Sequence, residues 1–490
     1  MPATSELRVE VTVVGGGPAG LSSALTAAHA GLRVALVDAG SRLGGQFWRH
    51  PDPQSLAPGQ AESDGQHSWR VFERMRAQLR GFIATGRVLH LAGHTAWSIE
   101  RGESASVVRL TRSWDAVQLI AGSVRSEHVI LCPGGYDRQL PVPGWTVPGV
   151  MAAGGVQALV KNGGRLDGRR AVVTGTGPFL LPVAAALTRA GATVVAVCEA
   201  NPPSAWLTGT GSVLRMPSKI AEALEFGLVL GRHRIPYRTR TAVTRIHGTD
   251  HVEGVTLSRV RADGGIVPSA GARSHLEVDL VALGWGFTPD LGLAVAAGAE
   301  VRRDVDGSLV AVVDDDYRSS VAGLSIAGEA TGVGGAMMAV HEGELAASAV
   351  ASETGVGVGP ARAARLRRAI ARERAFARAM HGASALPAGW TAWLDPDTVV
   401  CRCEEVSAGD IRNACGDLGA DDARTVKALT RAGMGWCQGR VCGFATCEVT
   451  ASCAARSSTA DDLRAMSKRV LASPVRLGDL AASDDTQGPR

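Results

Sequence analysis

The chain has 490 residues, enough for two or three domains, and its 45% hydrophobic and 20% charged residues are the balance of a folded globular protein. With 51 basic and 47 acidic residues, a net charge of +4 and 4% aromatics, it offers no basis for a nucleic-acid partner. Nine cysteines, an odd number and mostly clustered, argue against a disulfide framework and for a reducing, cytoplasmic setting. No leader is expected before the strand-like residues 7–14. The richest apolar run, 179–197, is broken by Pro182 and Arg189, so no integral membrane segment is expected.

The first pattern is strand, glycine turn, helix, strand. Residues 9–14 are β-branched and apolar, Gly15-Gly-Gly17-Pro-Ala-Gly20 follows, 21–30 is helix-compatible, and 34–37 is apolar and ends at Asp38. This is a dinucleotide fingerprint. Gly15 permits the tight turn, Gly17 admits a pyrophosphate to the helix N-terminus, Gly20 allows close helix–strand packing, and Asp38 accepts from a ribose hydroxyl. A weaker copy begins near Arg170: strand 171–174, Gly175-Thr-Gly177-Pro-Phe-Leu180, helix 181–190, strand 193–197, then Glu199. Leu180 stands where the third glycine belongs. Glu199 suits an unphosphorylated ribose, hence NAD(H) or another adenine nucleotide; the competing reading is a degenerate fold that binds nothing.

Two nucleotide folds in one chain point to an α/β flavoprotein of the disulfide-reductase-like type, the second dinucleotide-binding domain inserted into the first. Strand 128–131 with Cys132-Pro-Gly-Gly135 is the exit, 141–150 the crossover, and the chain returns at 280–286. Residues 324–329 (LSIAGE) read as a strand ending at Gly328 and Glu329 and resemble the second FAD motif, which implies that Glu329, in place of the commoner Asp, approaches the ribityl–pyrophosphate part of FAD; the competing reading is an exposed loop acid. The N-terminus of the following helix, 337–351, stabilises negative charge on a reduced isoalloxazine. The expected divisions are 7–145 and 276–354 for the FAD-binding domain and 146–275 for the inserted domain. A linker helix follows at 355–397, a cysteine module at 398–455, and a tail at 456–490, poor in aromatics and expected to be partly mobile. No Cys-x-x-Cys lies in the flavin region, and Cys132 and Cys198 read as packed residues, which disfavours flavin-to-disulfide transfer. His341-Glu342 follows the FAD motif and has two readings, a place near the flavin or, more often for such a pair, helix surface; neither gives it a catalytic role.

After a glycine-rich hinge at 355–360, residues 362–380 form a basic linking helix with a solvated charged face. Then come Cys401-Arg-Cys403 and Cys437-Gln-Gly-Arg-Val-Cys442. Two close pairs of thiolates are able to converge on one metal centre, and a [2Fe–2S] cluster needs four. Zinc also takes four thiolates, though its pairs are usually spaced Cys-x2-4-Cys. Unliganded thiols are a third reading, and Cys415, Cys447 and Cys453 blur the ligand choice or simply pack in the core.

Residues 141–164 (PVPGWTVPGVMAAGGVQALVKNGG), 175–187 (GTGPFLLPVAAAL) and 401–442 (CRCEEVSAGDIRNAC…TRAGMGWCQGRVC) resemble one family. It is the FAD/NAD(P)-binding alpha subunit of multisubunit amine dehydrogenases and oxidases. Its members include the A subunits of opine oxidases, the alpha subunit of D-hydroxyproline dehydrogenase and the B subunit of cyanide-forming glycine dehydrogenase. The alpha subunit of heterotetrameric sarcosine oxidase is more distant. The C-terminal segment is similar to the small, mainly helical, bacterioferritin-associated-ferredoxin-like [2Fe–2S] domain.

The resemblance covers most of residues 7–455. It implies FAD on Gly15, Gly17, Gly20 and Asp38, with Gly45 and Gln46 near the flavin side and Gly328 and Glu329 closing the site. It implies NAD(H) or another adenine nucleotide near Gly175, Gly177 and Glu199. The cluster then falls on Cys401, Cys403, Cys437 and Cys442, leaving Cys415, Cys447 and Cys453 as bystanders. The implied partner is an FAD-containing beta subunit of the D-amino-acid-oxidase type, which takes hydride from a small amine or imino acid. FMN at a subunit interface is a further candidate cofactor. The sequence departs from the family at Leu180, Glu329 and Cys132-Pro133. The expected function is an electron-transferring alpha subunit of a heteromeric amine or imino-acid dehydrogenase or oxidase. The alternatives are a stand-alone NADH-dependent flavin reductase and a structural subunit that holds cofactors without turnover.

Overall fold

A computed structural model describes residues 6–56, 61–113, 119–267, 273–356, 359–469 and 471–484. Its first sheet is parallel and five-stranded, in the order Leu324–Ile326, His128–Leu131, Val11–Val14, Val34–Asp38, Val88–Ala92. These strands are almost wholly apolar rather than alternating, as a sheet buried on both faces requires. Helix Pro18–His29 packs closely against helix Ala336–Glu353. Glycine makes this approach possible, because a Cβ on Gly343 would overlap the Ala19 carbonyl oxygen.

A second five-stranded parallel sheet runs Val150–Ala152, Leu280–Gly284, Arg170–Gly175, Thr193–Glu199, Tyr237–Thr239. Leu280–Gly284, expected to open the second flavin segment, lies inside this sheet, so the chain returns to the flavin fold only after Gly284. The run LVALG suits either sheet. Its partner is set by register: Leu280 pairs with Ala171, and the Asp279 carboxylate accepts from the Arg170 amide at 2.8 Å. Leu180 is fully buried, and its Cδ2 would lie 2.7 Å from a Cβ on Gly284. The glycine missing from the helix side of this contact is supplied from the strand side, which restores close packing. Phe287–Pro289 then pairs antiparallel with Gly135–Asp137, a ribbon that joins the two folds.

Helix Pro360–Ala383 leads to the cysteine module. The module's helices are Ala408–Gly416, Ala423–Thr430 and Gly443–Cys453, with Ala460–Ser467 packed on them. Their starts are written locally: Ser407 with Asp410, and Thr459 with Asp462, form reciprocal capping boxes, and Asp422 caps the third start. Of the expected hinge, residues 357–358 lie outside the described residues. The described part of the tail is anchored rather than loose. In helix Leu477–Asp484, Asp479 accepts from Thr111 Oγ1 and from the Arg112 amide, both at 2.9 Å, and pairs with the Arg112 guanidinium. Its partners stand 368 and 367 residues earlier in the chain, where local pattern does not reach. No helix of the described residues is long and apolar enough to cross a membrane.

Candidate cofactor sites

The first fingerprint folds into a cradle. The Gly15 amide donates to Val37 O at 2.8 Å, and the Gly44 amide to Gly16 O at 2.8 Å, so residues 15–20 and 44–46 lie against each other. Gly45 has φ +58°, and a Cβ there would stand 2.8 Å from Gly17 Cα, whereas a Cβ on Gly17 would meet only Gly45 Cα, at 3.9 Å. Gln46 Oε1 accepts from Arg49 Nε at 2.9 Å at the rim. Asp38 is buried at the strand end; its Oδ1 accepts from the Gly40 amide at 3.1 Å. Its Oδ2 lies against Gly16 outside good hydrogen-bond geometry, buried and unpartnered among the described residues. A buried acceptor without a donor is a deficit that a ribose hydroxyl removes, so these residues fit FAD.

Burial holds the Asp38 carboxyl up at about 6, against ~3.9 in an unfolded chain. In the apoprotein its stabilising contribution is therefore fully present below pH ~4 and lost as pH rises through the folded value, a change of about 3 kcal/mol. FAD affinity runs the other way, because the ribose needs the ionised acceptor. Melting temperatures of apo- and holoprotein are expected to converge as pH falls from about 8 to about 5, and Asp38→Asn is expected to remove that convergence.

On the opposite side of the cradle, Gly328–Thr331 is a 3-10 turn rather than a strand end. It is held by Glu342, which is fully buried and not on the helix surface as expected. Glu342 Oε2 accepts from the Gly328 amide and from Thr331 Oγ1, both at 2.9 Å. Glu342 Oε1 pairs with Arg374 Nη2 at 2.5 Å, and Arg374 also donates to Gly332 O at 2.8 Å. Arg374 comes from the linker helix, whose charged face is therefore not wholly solvated as expected. The one sequence signal for Glu342 is its place as an acid on the small, apolar face AMMAVHEGELAASAV. Glu329 points its Oε2 to within 3.2 Å of where a Cβ on Gly135 would stand. Burial, with Glu342 and Asp137 nearby, pushes its carboxyl up to about 7, and no side-chain hydrogen bond to it exists among the described residues.

The second fingerprint is assembled but engaged by the protein itself. Glu199 Oε2 accepts from the Gly177 amide at 2.7 Å, and its Oε1 from the Asn201 amide at 3.0 Å and from Asn201 Nδ2 at 3.2 Å. Asn201 Nδ2 also donates to Ala385 O at 2.9 Å, and Ser384 Oγ stands 3.0 Å from where a Cβ on Gly177 would be. Residues 384–385 thus roof the Gly175–Gly177 turn. Unlike Asp38, Glu199 has both oxygens engaged by the protein, and residues 384–385 stand over the turn that an adenine dinucleotide would approach.

In the cysteine module Cys401 and Cys442 are buried, Cys437 half-buried and Cys403 exposed. The four thiols form a row of contacts: Cys401 to Cys442, Cys442 to Cys437, Cys437 to Cys403. The Cys442 thiol, in contact with both neighbours, draws Cys401 down to about 6 and Cys437 to about 5. Backbone amides add to this: Gly433, Glu404 and Cys403 on Cys401, Val441 and Gly439 on Cys437. Such donors stabilise sulfur as thiolate, the form that binds metal, and tune the centre they surround. Among the described residues no three His, Cys, Asp or Glu side chains gather around a single ion position. A row of pairs fits two irons that take two thiolates each, whereas zinc needs one tetrahedral focus. Cys447 donates to Asp462 O at 3.4 Å, outside the row.

The module is fastened to both folds. Trp145 Nε1 donates to Val399 O at 2.7 Å, the Arg138 guanidinium lies 4.6 Å from the Phe444 ring centre, and Arg440 pairs with Asp290 at 3.5 Å. Between them lies a cleft of about 550 Å³ lined by Tyr136, Asp137, Trp145, Arg402, Trp436, Cys437 and Arg440, among others.

Residues 9–352 match the pyridine nucleotide-disulphide oxidoreductase family, and residues 399–449 match the BFD-like [2Fe–2S] binding domain. The opine oxidase A subunit of Rhizobium meliloti is 33% identical over 97% of this chain and 88% of its own length. The HcnB subunit of hydrogen cyanide synthase from Pseudomonas protegens is 30% identical over 88% of this chain and 89% of its own. The crystal structure of L-proline dehydrogenase from P. horikoshii shares the fold, with a TM-score of 0.67 and 20% identity over 97% of this chain and 80% of that one. The chain belongs to the pyridine nucleotide-disulphide oxidoreductase family and carries a C-terminal BFD-like [2Fe–2S] binding domain, so its cofactors are FAD and a [2Fe–2S] cluster.

Proposed function

We propose that this chain is the electron-transferring alpha-type subunit of a heteromeric amine or imino-acid dehydrogenase or oxidase. The observation that carries this reading is the cleft shared by the flavin fold and the cysteine row. Tyr136 and Asp137 adjoin Gly135 and its neighbour Glu329, and they line the same cavity as Cys437 and Arg440. Bound FAD supplies acceptance of two electrons and release of single ones, which matches a hydride donor on one side and a cluster on the other. The alternative exit, a flavin-side thiol, is disfavoured: Cys132 is buried, and burial pushes its thiol up to about 12.

The names of the opine oxidase and hydrogen cyanide synthase relatives support an amine or amino-acid carbon as the site of oxidation. That carbon belongs to the pocket of an FAD-containing beta subunit of the D-amino-acid-oxidase type. FMN at the subunit interface is part of the same reading: Trp145 and Trp436 offer aromatic walls, and Arg402 and Arg440 offer guanidinium groups for a phosphate. So are a cytoplasmic location and the division into a flavin domain, an inserted domain from 146 and a cluster domain at 398–455.

The test is anaerobic purification of the chain alone and together with its partner. The lone chain is expected to hold FAD and about two irons, and to stay oxidised when an opine, hydroxyproline or glycine is added. With the partner present, one of these amines bleaches the flavin. NADH is expected to leave the lone chain oxidised, because residues 384–385 cover the second turn. Bleaching by NADH at a catalytic rate would establish the stand-alone reductase instead.

A further inference from the structure

We propose that Cys415 and Cys453 are a reversible disulfide site in the cysteine module, separate from the cluster ligands. Cys415 is the last residue but one of helix Ala408–Gly416, and Cys453 is the last residue of helix Gly443–Cys453; the two helices pack on each other. Their thiols are in hydrogen-bond contact. Cys453 Sγ–H donates to Val449 O at 3.3 Å, which leaves its sulfur as the acceptor for the Cys415 thiol. The pair is asymmetric in access, Cys453 being exposed and Cys415 half-buried. The other cysteines outside the row, Cys132, Cys198 and Cys447, are buried.

This arrangement suits a two-step oxidation by hydrogen peroxide. Cys453 gives its proton to solvent and attacks one peroxide oxygen as thiolate; the O–O bond breaks, Cys453 becomes a sulfenic acid, and the leaving hydroxide takes up a solvent proton and departs as the first water. Cys415 sulfur then attacks Cys453 sulfur, the S–O bond breaks, and the second water leaves with the Cys415 proton. Overall, two thiols are oxidised to one disulfide and one peroxide is reduced to two waters. Burial, together with the contact to Cys453, pushes the Cys415 thiol up to about 12, so it stays protonated until its neighbour has reacted.

The bond would tie together the far ends of two helices. Helix Gly443–Cys453 is capped at its start by Cys442, so the staple lies about 16 Å along the helix from a cluster ligand. A cross-link there opposes the local opening through which iron escapes, without altering the ligands. The inference needs only the fold of the module and stands apart from the proposed function.

The test uses reduced holoprotein treated with hydrogen peroxide, with the cluster spectrum followed throughout. Remaining thiols are blocked, and the unreduced tryptic digest is read by mass spectrometry. Peptide 413–424 is expected to be linked to peptide 441–456 through Cys453. Cys453→Ser is expected to leave Cys415 fully alkylatable, and Cys415→Ser to halt at a Cys453 sulfenic acid that a dimedone probe captures. Iron loss to a chelator is expected to slow on the order of tenfold in the oxidised wild type and in neither variant. The proposal is overturned if both thiols remain alkylatable after treatment, if Cys453 is oxidised without linking to Cys415, or if the link forms to a ligand cysteine.

Discussion

Cys442→Ser is expected to abolish the iron–sulfur absorption and the bound iron while FAD stays bound at about one per chain. Cys442 is buried in the middle of the thiol row, in contact with both Cys401 and Cys437. Its loss therefore breaks the row into pieces, whereas loss of an end residue would shorten it. A serine oxygen is a poorer partner than a thiolate for iron in such a cluster. The flavin cradle is built from residues 15–46 and 328–342, in a different sheet and its helices, and has no part in the row. Electron throughput of the complete complex is expected to fall at least about 100-fold. The low-temperature spin-resonance signal of the dithionite-reduced protein and an iron assay read the outcome. Cys447→Ser serves as the control, because Cys447 lies outside the row and is expected to leave the signal intact. Retention of a normal signal and full iron in the Cys442 variant would show that the ligand set is wrong.

Glu342→Ala is expected to destabilise the flavin fold by about 3–5 kcal/mol, the range for removing one partner of a buried ion pair. Four groups lose their acceptor together: the Gly328 amide, Thr331 Oγ1, the Tyr317 hydroxyl and the Arg374 guanidinium, whose side chain is 17% exposed. Burial holds the Glu342 carboxyl above its ordinary range and the Arg374 charge draws it back, so removal of either partner leaves the other exposed to the desolvation cost. The turn Gly328–Thr331 borders the FAD cradle, and the variant is expected to lose flavin on gel filtration before it unfolds in urea. Glu342→Gln keeps an oxygen for Gly328 and is expected to cost less. Arg374→Ala is expected to resemble Glu342→Ala, and the double variant to cost less than the sum of the two. Additive losses would mean that the two side chains do not act as one clamp.

Much of the candidate site was legible because its chemistry is written in short spacings. The turn 15–20 with Asp38, and the paired cysteines 401/403 and 437/442, each lie within one or two local elements. Glu342 was not legible. It lies on a helix, beside a histidine that pairs with Glu373 of the next helix, and its burial depends on that later helix. The second nucleotide turn was half legible: its strand, turn, helix and Glu199 stand where the pattern puts them, but the roof over Gly177 comes from residues 384–385.

The sequence by itself determined the two dinucleotide folds, their nesting, the FAD cradle and the four-thiol module. Backbone conformation at glycine turns, strand propensity and ligand spacing are properties of adjacent residues, and they survive any later choice of neighbours. Tertiary structure alone decided which sheet receives Leu280–Gly284, how Gly284 offsets Leu180, that Arg374 reaches Glu342, that residues 384–385 cover the Gly177 turn, and that Cys415 meets Cys453. Each of these depends on which distant surface excludes water from a given side chain, and burial of that kind is a property of the packed chain rather than of any segment of it.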